Sequence, residues 1–124
     1  MHCEDLMKRQ VEYLDGNDTF QSAAKKMNDR NVGFLPVVDL QTSRVAGALT
    51  DRDIVLRVCA PDLPHSTPVA KVMTREVLAC RPGDDVARAA ELMSACRKSR
   101  IMVTDEQGRL VGRISYSDIV EDER

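Results

Sequence analysis

Two stretches of this chain place a hydroxyl three residues ahead of a carboxylate, each after a glycine at the same distance. The first is Gly47-Ala48-Leu49-Thr50-Asp51-Arg52-Asp53 and the second Gly112-Arg113-Ile114-Ser115-Tyr116-Ser117-Asp118. Both read Gly-x-apolar-Ser/Thr-x-x-Asp. The spacing has an ordinary structural use. A Ser/Thr N-cap accepts from a first-turn N–H, and the acid three positions on reaches back to the cap amide. The same geometry also suits a ligand. Free N–H groups and the positive end of a helix favour phosphate, and a short carboxylate one turn in can accept both vicinal hydroxyls of a ribose. Gly47 and Gly112 would let the backbone come close to a ligand or a neighbouring strand. One copy alone is weak, but two at matched places favour a site.

The elements that must position these motifs are themselves written twice. A shift of 66 positions carries Met7, Arg9 and Val11 onto Met73, Arg75 and Val77. It also carries Ala23, Ala24 and Met27 onto Ala89, Ala90 and Met93, and Val37, Asp39 and Gln41 onto Val103, Asp105 and Gln107. One residue is lost in the second hairpin, after which Arg44, Gly47, Asp53 and Val55 meet Arg109, Gly112, Asp118 and Val120. Each unit reads β-α-β-β-α. An extended piece (11–14; 77–80) precedes an amphipathic helix with Phe20, Ala23, Ala24, Met27 or Val86, Ala89, Ala90, Met93 on one face. Asp18 and Asp84 stand at the expected N-caps. Two strands follow (35–38 and 44–49; 101–104 and 109–114), joined by hairpin turns, and a second helix starts at Asp51 or Tyr116. The expected organisation is repeat 1 over 6–59, a Pro-rich linker over 60–69 and repeat 2 over 70–121. A unit of about 55 residues is small to stand alone, and two copies can cover each other's apolar faces.

Composition narrows the function classes. The 124 residues are 43% hydrophobic and 31% charged, with 18 basic and 20 acidic side chains and a formal charge of −2. That balance gives no electrostatic reason to expect nucleic acid or anionic membrane as a partner. No stretch is apolar enough to span a membrane and no secretory signal is read, so a cytoplasmic protein is expected. Cys3, Cys59, Cys80 and Cys96 lack Cys-x-x-Cys spacing and are expected to be free thiols, with Cys80 and Cys96 as small apolar filler. Met7, Met27, Met73 and Met93 read as core. His2 and His65 lie near no cysteine pair, so no metal is expected. No nucleophile or base with an orienting partner is visible, and no catalytic residue or catalytic cofactor is assigned.

The chain resembles the cystathionine-β-synthase (CBS) domain family, whose repeats carry an apolar-Pro-apolar-Val-Asp strand and then Gly-x-apolar-Thr-x-x-Asp. Here these are Leu35-Pro36-Val37-Val38-Asp39 and Gly47 to Asp53; Val72-Met73-Thr74 also looks like the family. The resemblance covers about residues 6 to 121. It implies an α+β fold of two repeats about a pseudo-twofold axis, sheets packed together and helices outside, often called a Bateman module. It implies two related clefts, with ribose on Asp53 in one and Asp118 in the other, and phosphate near Thr50 and Ser115. Adenine would be gripped by the partner repeat. Asp53 would face Val77, Leu78, Ala79 and the strand start at Ile101 and Met102. Asp118 would face Val11, Tyr13 and the segment Phe34, Leu35, Pro36.

The second copy departs from the pattern, with Met102 where the first has Pro36 and Arg100 where it has Phe34. In similar modules a basic residue there meets phosphate, which makes Arg100, with Lys98 or Arg97 nearby, a candidate anion contact for the Asp53 cleft. A solvated basic turn at a helix end is the other reading. The expected function is regulatory sensing of AMP, ADP, ATP or S-adenosylmethionine, signalling in trans to an unidentified effector. The alternative is a ligand-free interaction module, and a homodimer is expected in either case.

Overall fold

The computed structural model describes residues 1–122, which form two compact units. Each is built from a three-stranded sheet and the helices that close one of its faces. In order, the elements are α1 (Cys3–Leu6), β1 (Leu14–Asp15), α2 (Phe20–Arg30), β2 (Phe34–Val38), β3 (Val45–Thr50) and α3 (Asp51–Ile54). A π-helical turn (Val55–Cys59) extends α3, and a 3-10 turn (Val69–Lys71) follows the Pro-rich connector. Then come β4 (Ala79–Cys80), α4 (Val86–Cys96), β5 (Arg100–Thr104), β6 (Leu110–Ser115) and α5 (Tyr116–Asp122).

The sheets share one topology. β1 runs parallel to β2, which pairs antiparallel with β3, and β4, β5 and β6 repeat the arrangement. Even the irregularities match, with register shifts at Val37/Val38 and Val103/Thr104. Pro36 occupies the middle strand without breaking it. Its counterpart Met102 donates its N–H to Leu78 O, whereas β1 pairs with β2 only at Val37 and Val38. A missing N–H at Pro36 therefore removes only that one outer bond.

The helical stripes behave as their spacing predicts. Phe20, Ala23 and Met27 of α2 are buried, as are Ala89 and Met93 of α4. The caps lie one residue later than expected. Thr19 Oγ1 accepts from Ser22 N–H, and an Asp85 carboxylate oxygen accepts from Ala87 N–H. Asp18 and Asp84 instead accept from Asp15 and Arg81 N–H, closing the turns that lead into the helices. Both helices end on a left-handed residue, Asn31 and Arg97. Arg97 thus forms a helix C-cap. Cys80 is buried as expected, but Cys96 is exposed on the outer side of α4 and fills no core.

The compact units cross the repeat boundaries. Glu12–Val77 forms one unit, so the connector and residues up to Val77 pack with the first repeat. Met1–Val11 packs with the chain from Leu78 onward. Two glycines make this possible. A Cβ on Gly47 would lie 2.6 Å from Thr74 O and 2.8 Å from Met73 Sδ. One on Gly112 would lie 2.7 Å from Met7 Sδ and 3.0 Å from Lys8 O. Thr74 bridges to Ala48 and Lys8 to Arg113 through paired backbone bonds, while Met73 and Met7 enter the aliphatic cores. The close approach anticipated at the glycines is made by a neighbouring segment.

Candidate functional site

The two motifs fold identically at the junctions β3–α3 and β6–α5. Thr50 Oγ1 accepts from Asp53 N–H at 3.0 Å, and Asp53 Oδ2 accepts from Thr50 N–H at 3.0 Å. Ser115 Oγ accepts from Asp118 N–H at 3.2 Å, and Asp118 Oδ2 accepts from Ser115 N–H at 2.9 Å. These are reciprocal capping boxes, and they leave Oδ1 of each aspartate outside the box. Both aspartates remain partly accessible, with side chains 14% and 12% exposed. The carboxylates are thus aimed and held, yet each keeps one oxygen for a further partner.

The first-turn amides of α3 offer less than the motif suggested. Asp51 N–H donates to Gly33 O, Arg52 N–H to the Asp51 carboxylate and Asp53 N–H to Thr50. No first-turn amide of α3 is left for an anion. In α5, Tyr116 N–H donates to Ser99 O, the counterpart of Gly33.

Cations flank both carboxylates, a feature the motif spacing does not reveal. Arg57 Nε lies 3.8 Å from Asp53 Oδ1, and its Nη1 donates at 3.3 Å to Val72 O and Met73 O. Lys8 Nζ lies 3.5 Å from Asp118 Oδ1, and Lys8 is 57% exposed. Arg57 comes one turn along the helix from Asp53, which i,i+4 spacing could have disclosed. Lys8 arrives from the segment laid across Gly112, for which the sequence carries no local signal. Burial pushes the Asp118 carboxyl up, but the amide and hydroxyl of Ser115 and the Lys8 ammonium outweigh it and hold the group below its ordinary value.

That depression fixes the sign of an acid effect. A carboxyl held low in the folded chain stabilises it above the unfolded value of about 4. The contribution is lost as pH falls through the lower folded value. In urea titrations between about pH 6 and pH 2, Asp118→Asn is expected to lose less stability on acidification than the parent. Parallel curves for the two proteins would contradict this.

The other candidate residues divide between the units. Tyr13, Phe34, Leu35, Pro36 and Val77 share the unit of Thr50 and Asp53, whereas Val11, Leu78, Ala79, Arg100, Ile101 and Met102 share that of Ser115 and Asp118. Leu35 and Ile101 point into the aliphatic cores, so only their peptide groups are available to a ligand. Phe34 stands opposite Thr50 in the strand register and Arg100 opposite Ser115. Arg97, Lys98 and Arg100 are exposed.

Known proteins share this fold. The chain is 37% identical over 116 residues to the CBS domain-containing protein YhcV of Bacillus subtilis, covering 94% of this chain and 81% of that one. The CBS domain pair of protein MJ0100, solved with 5-methylthioadenosine and S-adenosyl-L-methionine, superposes with a TM-score of 0.84 at 25% identity. That match covers 99% of this chain and 95% of MJ0100's. Hypoxic Response Protein I, solved with two coordinated zinc ions, gives a TM-score of 0.87 at 26% identity over 98% of both chains. Among the described residues here, no group of three or more His, Cys, Asp or Glu side chains is placed to hold a metal ion. None of the helices described is long and apolar enough to cross a membrane. The family model of the CBS domain matches residues 3–59 and 69–123, and the chain belongs to the CBS-domain family as a tandem pair of its domains.

Proposed function

We propose that this CBS pair is a regulatory module that binds an adenosyl ligand, an adenine nucleotide or S-adenosylmethionine, and carries out no catalysis. The observation that carries this reading is the Oδ1 that each capping box leaves outside itself on a pre-oriented, partly exposed aspartate, with a partly exposed cation 3.8 or 3.5 Å away that a ligand can displace, repeated at both junctions. Asp53 and Asp118 take ribose hydroxyls, while Thr50 and Ser115 use their hydroxyl hydrogens toward phosphate or another ligand oxygen. Arg100 is the proposed anion contact, and the segments 11–13, 34–36, 77–79 and 101–102 are proposed to grip adenine. The complex of MJ0100 with two adenosyl compounds supports the ligand class.

The Thr50/Asp53 motif ranks first. Among the described residues Thr50 Oγ1 makes no hydrogen bond beyond the box, whereas Ser115 Oγ shares a 2.9 Å bond with Ser117 Oγ. At the second motif Lys8 supplies a flexible cation that can turn from Asp118 to a phosphate. Lys8→Ala is expected to weaken AMP binding there by roughly tenfold, with adenosine affected little, because a charge-assisted bond is lost. Calorimetric titrations with both ligands test this, and equal losses for AMP and adenosine would refute it.

The experiment for the function as a whole is a thermal-shift panel of adenosine, AMP, ADP, ATP, S-adenosylmethionine and NAD. A ligand that binds the folded chain raises Tm in proportion to the logarithm of its concentration. The proposal expects such a rise from at least one adenosyl compound, and no rise from any of them refutes it. Signalling further requires that the ligand prefer one arrangement of the chain over another.

One observation favours a second reading, that of a homodimerising interaction module. Val55, Leu56, Tyr116 and Val120 are exposed on the closing helices of the two repeats. Val55 and Val120 occupy equivalent positions, so each repeat could offer its own exposed apolar helix surface to a second copy. Sedimentation finding only monomer at working concentration would remove this reading.

A further inference from the structure

Cys3 in α1 and Cys80 in β4 lie 77 positions apart in sequence, yet their sulfurs are 3.6 Å apart. Both side chains are buried, at 0% and 3% exposure, in the same core cluster. Their separation exceeds the ~2.05 Å of a disulfide and corresponds to two reduced thiols in contact. Both backbones are fixed where they meet. Cys3 N–H donates to Asp84 O at 2.8 Å, Glu4 N–H to Pro82 O at 2.9 Å, and Val86 N–H to Met1 O at 3.0 Å. Residues 1–4 are thereby stitched to the β4–α4 connection that follows Cys80. The other two cysteines, Cys59 and Cys96, are exposed.

We propose that Cys3 and Cys80 are an oxidation site that forms a reversible disulfide by exchange with a low-molecular-weight disulfide of the glutathione class. One thiol gives its proton to solvent and its sulfur attacks the small disulfide, expelling one thiolate, which takes up a proton. The second thiol, deprotonated in turn, attacks the protein sulfur of that mixed disulfide and expels the second small thiolate. Two electrons pass from the cysteine pair to the small disulfide, leaving one Cys3–Cys80 bond and two small thiols.

Burial sets the rate. Desolvation is the largest cause raising both thiols, with Cys80 pushed up to about 12. Exchange therefore proceeds through openings that lift residues 1–6 from the β4–α4 connection, and it quickens with rising pH as the thiolate fraction grows. The same segment continues to Met7 in the core and to Lys8 at Asp118. Oxidation thus pins the strap that delivers Lys8 to the second motif. Formation of the bond does not depend on the proposed nucleotide function.

The test uses the full chain carrying Cys59→Ser and Cys96→Ser, two exposed positions, so that only the buried pair can react. The protein is held with oxidised glutathione at mildly alkaline pH until its mass is constant, and a parallel sample is held with dithiothreitol. The expected product has lost two hydrogens, has no alkylatable thiol after denaturation and yields a crosslinked peptide joining Cys3 to Cys80. Its Tm is expected to exceed that of the reduced sample by roughly 10 °C, because the bond closes a long loop. Dithiothreitol reverses both changes, and a further Cys80→Ser change abolishes both. Two free thiols at constant mass, two bound glutathiones, or a lower Tm on oxidation would each overturn the proposal.

Discussion

Gly47→Ala is expected to lower the unfolding free energy by about 3 kcal/mol and Tm by roughly 10 °C. The new Cβ would sit 2.6 Å from Thr74 O, a backbone atom with no rotamer to escape into. Thr74 is held by Ala48 N–H donating to its carbonyl and by its own N–H donating to Ala48 O, both at 2.9 Å. Relief means lifting residues 73–74, which strains two backbone bonds and draws Met73 from its core. Gly112→Ala should cost less, since its closest contact is the flexible end of Met7 and Lys8 O lies at 3.0 Å. Gly83→Ala is the control, because nothing lies within 4 Å of its added carbon. Urea unfolding of the three variants checks the ranking. Equal midpoints for Gly47→Ala and Gly83→Ala would show that residues 73–74 do not lie against β3.

Asp53→Ala carries the largest expected effect on binding. Losing a charged acceptor for ribose hydroxyls should weaken the adenosyl ligand at that motif about 100-fold, which corresponds to ~2.7 kcal/mol. The variant also loses half of a capping box, so the unliganded protein should be less stable by about 1 kcal/mol. These two effects must be separated. Thr19→Ala removes the α2 cap at a similar cost to stability, with no part in the motif. The expected pattern is a lowered baseline in both variants, with the ligand response kept in Thr19→Ala and lost at the Asp53 motif. Equal ligand responses in the two variants would reduce Asp53 to a structural cap.

Much of the fold is legible in the sequence because the repeat is. The matches from Met7/Met73 to Val55/Val120 disclose two β-α-β-β-α units, and hydrophobic spacing places Ala23, Met27, Ala89 and Met93 in the cores. Local chemistry was harder to place to the residue. Asp18 and Asp84 carry the strongest cap signal, but turn closure uses them and moves the caps to Thr19 and Asp85. Both jobs are done by short side chains accepting from nearby amides, so composition does not separate them. The capping-box spacing correctly joins Thr50 to Asp53 and Ser115 to Asp118. It does not reveal that Asp51 N–H is already taken by Gly33 O, a contact set by the strand register.

Long-range placement leaves the weakest trace. Lys8 falls within the first repeat by sequence, yet it reaches Asp118 because Met7 anchors its segment beside Gly112. Cys3 and Cys80 look unrelated at their separation and meet because backbone bonds tie residues 1–4 to Pro82, Asp84 and Val86. For Lys8, a glycine bare enough for a crossing segment was the available clue. The glycines were legible as close approaches, and which segment approached was not.

The central claim is that the Gly-x-apolar-Ser/Thr-x-x-Asp junctions are ligand sites as well as helix caps. Amide NMR spectra of the full chain, titrated in parallel with AMP and with S-adenosylmethionine, test it most directly. Saturable shifts centred on the amides of Thr50 to Ile54 are expected with at least one of the two ligands, with Asp53→Ala removing them. Spectra in which neither ligand moves those amides, or in which saturable shifts fall only elsewhere, would contradict it.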